Sequence, residues 1–355
     1  MWWIRVLLVV ALSAAVACGD DGSTDADDGL PDGGPTDLGP PVPGAQTFST
    51  VIPDQELLSG EEIVNRCFSW EMGNETDVWV NRVRFETSRG LHHSNWFFVI
   101  GNLFDGEEGL WNCRDRDFDT VAAAAAGGVL FAQSTQAAGE VQAFPEGTAM
   151  RIPPGARIVA DLHLLNTYGE DVDVQAQIHV DTIPADAVET RLRPLAFDYL
   201  DLRIPPRSKS EFSMNCDFTE PNDGPIDFSL YYALPHYHAL GSGMRLEIIG
   251  GERDGEILWE AFGSIGEALG RTFDPPLDLS GATGIRVTCA YDNPTDQLVR
   301  YGVGDQEMCV MLAFTDSRRT WGGGVLERSG DEEVSNDGET SFHEAPCQMI
   351  PYASR

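Results

Sequence analysis

Positive charge is what this chain has least of. Lys and Arg number 23 against 57 Asp and Glu, a formal net charge of −34 over 355 residues. A surface of that sign repels phosphate backbones, which excludes nucleic acid as a natural partner. Zinc-type cysteine spacing is also missing. None of the 7 cysteines stands in a C-x-x-C pair, which argues against a structural zinc site. Helical pattern is scarce: the best stretch, Val121 to Ala126, is short and is broken by Gly127-Gly128. There is no tandem repeat of fixed short period and no apolar run of the roughly 18–20 residues that a membrane helix needs.

What is present begins with a leader. Met1-Trp2-Trp3-Ile4-Arg5 is followed by an apolar run from Val6 to Leu12 and by small residues up to Cys18. That pattern reads as an export signal over 1–18, too short to span a membrane. Ala15-Val16-Ala17-Cys18 resembles a bacterial lipobox. The resemblance implies cleavage before Cys18, lipidation of its thiol, and a mature protein held in the bacterial cell envelope by a membrane anchor alone. Residues 19–45 hold 7 Asp, 7 Gly and 5 Pro with no Lys or Arg. Such a segment buries little apolar surface and repels itself, so it is expected to be a disordered acidic tether. The acidity is not confined to it, because residues 46–355 still carry −28. With Cys18 assigned to the anchor, Cys67, Cys113, Cys216, Cys289, Cys309 and Cys347 remain. An even number in an exported chain reads as disulfides, with the connectivity left open.

Strand signals dominate the rest. β-rich runs cover Val78 to Phe85, Asn95 to Ile100, Arg157 to Leu165, Val172 to Val180, Phe228 to Leu234, Met244 to Ile249, Gly284 to Ala290 and Met308 to Phe314. Turn signals such as Pro153-Pro154-Gly155 and Asp292-Asn293-Pro294 separate them. Many short strands with regular turns predict an all-β fold of antiparallel jelly-roll β-sandwiches. The stretch from Ile183 to Tyr199 lacks clear alternation and reads as a linker. Two tandem domains are therefore expected, 46–190 and 195–355.

Five of the 7 histidines fall in three places: His92-His93, His163, and His236-Tyr237-His238. Imidazole is a common ligand for Cu, Zn, Fe and Ni, so clustering makes a metal site the first hypothesis. Side chains at i and i+2 of a strand share a face, so His236 and His238 can chelate one ion. His92 and His93 point to opposite faces of a regular strand and can share an ion only at a strand start or bulge, which Gly90 permits. His163 lies in the β-like run Val159 to Leu165. Met308, in Glu307-Met308-Cys309, offers a soft thioether suited to Cu(I). Met311, Met244 and Met214 are equal candidates on chemistry alone. His179 and His343 match no motif and are expected to be structural or exposed.

These motifs occur in an order that resembles the type II copper, ascorbate-dependent monooxygenases, the family of peptidylglycine α-hydroxylating and dopamine β-monooxygenases. The carriers are Leu91-His92-His93-Ser94-Asn95-Trp96-Phe97, Leu162-His163-Leu164, His236 to Gly241, and Glu307-Met308-Cys309, across roughly residues 50–350. The resemblance implies two copper ions per chain. One would be an electron-transfer copper on His92, His93 and His163. The other would be an oxygen-activating copper on His236, His238 and Met308, which would be the catalytic residues. It also implies disulfides Cys67–Cys113, Cys216–Cys347 and Cys289–Cys309, and two jelly rolls facing each other across a solvent-filled cleft. The implied activity is an oxidoreductase one: hydroxylation of a substrate C–H bond with O2 and a reductant such as ascorbate as electron donor. The peptide-amidating members carry Arg, Asn and Tyr at the places of Leu234, Val310 and Leu312. The small-molecule substrate is therefore expected to be neutral, cationic or apolar.

Two other readings compete. A non-catalytic copper-binding lipoprotein, for storage or sensing, would keep the same ligands. A cupin-type Fe or Mn enzyme also uses H-x-H, but it needs a Glu soon after the second His. Here the first acidic residue after His238 is Glu247, and the cupin reading leaves His92, His93 and His163 without a role.

Overall fold

The computed structural model describes residues 43–133, 138–262, 270–302, 306–326 and 332–352. The expected signal segment, Cys18 and all of the tether before residue 43 lie outside the described residues.

The fold is all-β. The N-terminal half supplies β1 (Gln46–Leu57), β2 (Glu62–Glu71), β3 (Val78–Thr87), β4 (Leu91–Val99) and β5 (Gly109–Asn112). After the short helix α1 (Thr120–Ala126) come β6 (Gly127–Gln133), β7 (Gly139–Ala143), β8 (Thr148–Ile152), β9 (Arg157–Leu165) and β10 (Val172–Ile183). They form two layers. One runs β1-β10-β3-β8, with β7 also on β3; the other runs β5-β2-β9-β4-β6. That is the double Greek key of a jelly roll. Its core takes Phe85 and Val180 from one layer and Phe68, Trp96 and Ile158 from the other.

The C-terminal half begins with β11 (Thr190–Tyr199), β12 (Arg203–Ile204), β13 (Ser208–Asp217), β14 (Ser229–His236), β15 (Gly241–Ile249) and β16 (Ile257–Phe262). It continues with β17 (Arg271–Asp278), β18 (Gly284–Asn293), β19 (Val299–Arg300), β20 (Val310–Thr315), β21 (Thr320–Val325), β22 (Glu332–Asn336) and β23 (Thr340–Tyr352). The same order recurs: β11-β20-β14-β17 faces β13-β18-β15-β16.

The halves are continuous. β8 and β11 pair in parallel, Thr148 with Thr190 through Met150 with Leu192. β14 and β20 are buried on both faces. Leu230, Ala233, Met311 and Ala313 enter the C-terminal core, whereas Tyr232, Leu234, Leu312 and Phe314 enter the N-terminal one. Burial on both faces explains why these two strands read as unbroken apolar runs. Their second face is packed against protein, where the resemblance had implied a solvent-filled cleft.

The expected linker over 183–199 is also corrected, because most of it is β11. Leu192 belongs to the N-terminal core, and Leu195, Phe197 and Tyr199 belong to the C-terminal one. The inward-facing phase shifts at Pro194-Leu195, where both residues are buried. A strand that changes cores midway loses its alternation. Met308, expected as the first residue of a strand, lies two residues before β20, which begins at Val310. Three disulfides are present, Cys67–Cys113, Cys216–Cys347 and Cys289–Cys309, which is the pairing the resemblance implied.

Candidate metal centre

The N-terminal histidines are placed by a bulge. Gly90 precedes β4 with φ 97°, and a Cβ there would stand 2.7 Å from Val174; only glycine fits such a turn. The β4–β9 register then slips between Leu91 and His93, so His92 is the extra residue, while His93 lies opposite His163. Cross-strand partners share a face, and the bulge brings His92 round to it. The ring centroids of His92, His93 and His163 lie 4.8–5.1 Å apart.

The C-terminal pair stands where β14 ends. His236 is the last residue of that strand, and Tyr237 is buried beneath the turn with its ring against Gly241. His238 is held by the segment before β20. The Glu307 carboxylate, 1% exposed, accepts from the backbone N–H of His238 at 2.7 Å, of Leu240 at 2.7 Å and of Met308 at 3.3 Å. The Gln306 carbonyl lies 2.7 Å from His238 Nδ1. Met308 itself is half-buried, and its carbonyl accepts from Tyr291 Oη at 2.6 Å.

The two sets meet. The His93 and His236 ring centroids are 5.3 Å apart, those of His92 and His238 6.2 Å, and the His93 and His238 rings stack at 6.1 Å. One ligand atom from each of His92, His93 and His163 lies within 4.8 Å of the others, and the same holds for His93, His236 and His238. All five predicted histidines thus form one cluster in which His93 belongs to both triads. The two ligand sets stand side by side, not across an open gap, with inter-set ring centroids 5.3–6.2 Å apart.

Hydrogen bonding aims the ring nitrogens. His163 Nε2 lies 2.8 Å from Glu62 Oε1, and a carboxylate accepts, so Nε2 carries the proton and Nδ1 the lone pair. His238 Nδ1 donates to a carbonyl, which leaves the lone pair on Nε2. Those two lone-pair atoms, His163 Nδ1 and His238 Nε2, are buried without a hydrogen-bond partner, and so is His93 Nδ1. Buried polar atoms are rarely left so, and three together in one imidazole cluster fit a cation-binding role. Burial, reinforced by the neighbouring His163 and His238, pushes His92 down to about 4. Burial and the facing histidines hold His93 well below the usual range, and burial also lowers His163 against the pull of Glu62. The rings of His92, His93 and His163 are therefore neutral at pH 7, the form that ligates metal.

Glu62, Gln306 and Glu307 are functional supports that the sequence reading missed. Glu307 stood inside a quoted motif without a role, and Glu62 belongs to no motif. His179 bonds Ser49 Oγ at 2.7 Å, and His343 stacks on Phe212 at 4.4 Å, both away from the cluster. Cys67, Cys113 and Asp161 also converge, but the sulfurs form a disulfide and offer no thiolate.

No family model matches the chain, and no curated protein matches it. Among solved structures, the major capsid protein of bacteriophage PM2 aligns at 8% identity, TM-score 0.30, over 75% of this chain and 97% of that one. VP54 of PBCV-1, fitted into a reconstruction of the virophage Sputnik, aligns at 8% identity, TM-score 0.27, over 76% and 93%. The Macrobrachium rosenbergii nodavirus structure aligns at 10% identity, TM-score 0.18, over 86% and 95%. Likeness at that level brings no activity or assembly to this chain. The sequence reading is corrected on the comparisons as a whole: no family model and no curated protein supports a copper monooxygenase, and the solved structures that align are viral proteins. The family assignment, the C–H hydroxylating oxidoreductase activity and the use of O2 and ascorbate are accordingly withdrawn, and what stands is an all-β chain with a five-histidine cluster.

Proposed function

We propose that this protein binds copper at the five-histidine cluster, in a storage or sensing role. The observation that carries the reading is the set of buried ring nitrogens without a hydrogen-bond partner on His93, His163 and His238, within two converging histidine triads that share His93. A donor set of imidazoles, with the Met308 thioether in the adjoining segment, suits copper best among the divalent first-row ions. The net charge of −34 concentrates cations at the surface and repels anionic competitors.

A neutral imidazole has one lone pair, so His93 can serve only one triad at a time. Two ions would divide the ligands as His92, His93 and His163 on one, and His236 and His238 on the other, with Met308 available as its third. The lipobox reading of Cys18 would tether this centre in the cell envelope. No helix among the described residues is long and apolar enough to cross a membrane.

The test is copper loading of the full chain, followed by dialysis against a weak chelator and elemental analysis. Two coppers per chain are expected in the wild type, and fewer in His93→Ala. A chain that retains no copper under these conditions refutes the reading.

A further inference from the structure

A second concave site lies at the junction of the two halves, away from the histidines. It is a cleft of about 250 Å³ whose lining includes Arg151, Arg191 and Arg193. Three guanidiniums together are notable in a chain with 23 basic residues in all. Their convergence follows from register. Arg151 on β8 is the cross-strand partner of Trp79 on β3. The parallel β8–β11 pairing, Thr148 with Thr190 through Met150 with Leu192, brings Arg193 beside Arg151 when continued by one residue. Arg191 and Arg193 share a face of β11.

The charges there are poorly compensated. Asp77 is the one acidic residue that lines the cleft, and it pairs with Arg151 at 2.8 Å. Arg191 lies over the Trp79 ring at 4.8 Å. Arg193 donates to the Ser317 carbonyl at 2.9 Å. Among the described residues, neither Arg191 nor Arg193 forms an ion pair with a carboxylate. Like charges on facing strand positions destabilise a sheet unless something neutralises them. Burial first, and then Arg191 and Arg151, lower the Arg193 pKa, which is the direction that mutual repulsion gives. The lining also includes the apolar residues Phe98 and Ile100 and Ala124–Ala126 of α1.

We propose that this cleft binds a small organic carboxylate, its anionic end on Arg191 and Arg193 and its apolar body against Phe98 and α1. Arg191 and Arg193 present planar forks suited to a carboxylate. The volume lies just below the usual range for ligand pockets, which suits a compact molecule. The site is separate from the metal centre: Phe98 is five residues beyond His93 on β4, about 17 Å along the strand.

The test uses sodium benzoate as the probe, by calorimetric titration of the full chain at fixed ionic strength, with inorganic phosphate as the purely anionic comparison. Saturable benzoate binding is expected. It should weaken about tenfold or more in the Arg191→Gln/Arg193→Gln double variant, the loss of charge-assisted hydrogen bonds. Arg207→Gln, which removes an exposed charge elsewhere, should leave it unchanged. Ala125→Phe keeps both guanidiniums and fills the apolar side, so it should abolish benzoate binding even if the arginine variants fold poorly. No saturable binding, equal affinity in the double variant, or phosphate binding as tightly as benzoate would each overturn the proposal.

Discussion

Glu307→Gln is the perturbation that reads the support of the metal centre most sharply. The carboxylate is 1% exposed and accepts three backbone N–H groups, those of His238, Leu240 and Met308, at 2.7, 2.7 and 3.3 Å. Hydrogen bonds to a charged acceptor contribute about 1.5–3 kcal/mol each. Gln keeps one acceptor oxygen and turns an NH2 toward the donors of the other side. At least one charge-assisted bond is lost and one donor then faces another. The expected destabilisation is about 2–4 kcal/mol, measured by equilibrium urea unfolding of the copper-free chain. Because the same carboxylate fixes the His238 turn, copper should also bind about tenfold more weakly. Glu62→Gln is the contrast. Glu62 holds His163, but its side chain is 40% exposed, so its removal should cost less than about 1 kcal/mol. A Glu307→Gln protein with the wild-type urea midpoint and wild-type copper affinity would refute this account of the turn.

Asp198 should show the opposite sign. Burial pushes its carboxyl up to about 6, although Tyr301 Oη donates to it at 2.8 Å. A carboxyl whose pKa is higher folded than unfolded binds more protons in the folded state between about 4 and 6, so stability falls as pH rises through that window. Asp198→Asn should therefore stabilise the fold by up to about 3 kcal/mol at pH 7 and give no gain below pH about 4, as read by urea unfolding at both pH values. The Cys216–Cys347 disulfide closes a loop of 131 residues. By chain entropy its removal as the paired alanine variant should cost about 5 kcal/mol, against about 3 kcal/mol for Cys289–Cys309 at a separation of 20; equal losses in thermal unfolding would contradict that ordering. Gly90→Ala forces a side chain into the left-handed region and against Val174, so it should lower stability and weaken copper binding together, seen in thermal melts with and without the ion.

The strands were legible wherever one face meets one core. Val78 to Phe85 and Arg157 to Leu165 read correctly because they alternate, or run apolar, over their whole length. β11 did not read, because Leu192 and Leu195 point into different cores and the phase breaks at Pro194. The histidines announced a metal by their clustering, and the bulge at His92 was legible from the two adjacent histidines and Gly90. That all five share one place was not legible, since it depends on β14 and β20 burying both faces between the halves. Nor were Glu62 and Glu307, whose roles come from hydrogen bonds across 101 and 69 residues of sequence. The disulfide pairing could not be derived from the cysteines, yet the pairing that the resemblance implied is the one present. The activity it implied did not survive the comparisons.

The central claim is that the five histidines form one copper centre. Electron paramagnetic resonance of the full chain, titrated with one and then two equivalents of Cu(II), tests it directly. The account predicts nitrogen hyperfine structure at one equivalent. At two equivalents it predicts a broadened or diminished signal, because an ion on His92, His93 and His163 and one on His236 and His238 stand close enough to couple, with 5.3 Å between the His93 and His236 ring centroids, and this coupling should be lost in His93→Ala, which removes a ligand of the first. Two independent, additive copper signals, or a spectrum that His93→Ala leaves unchanged, would contradict it.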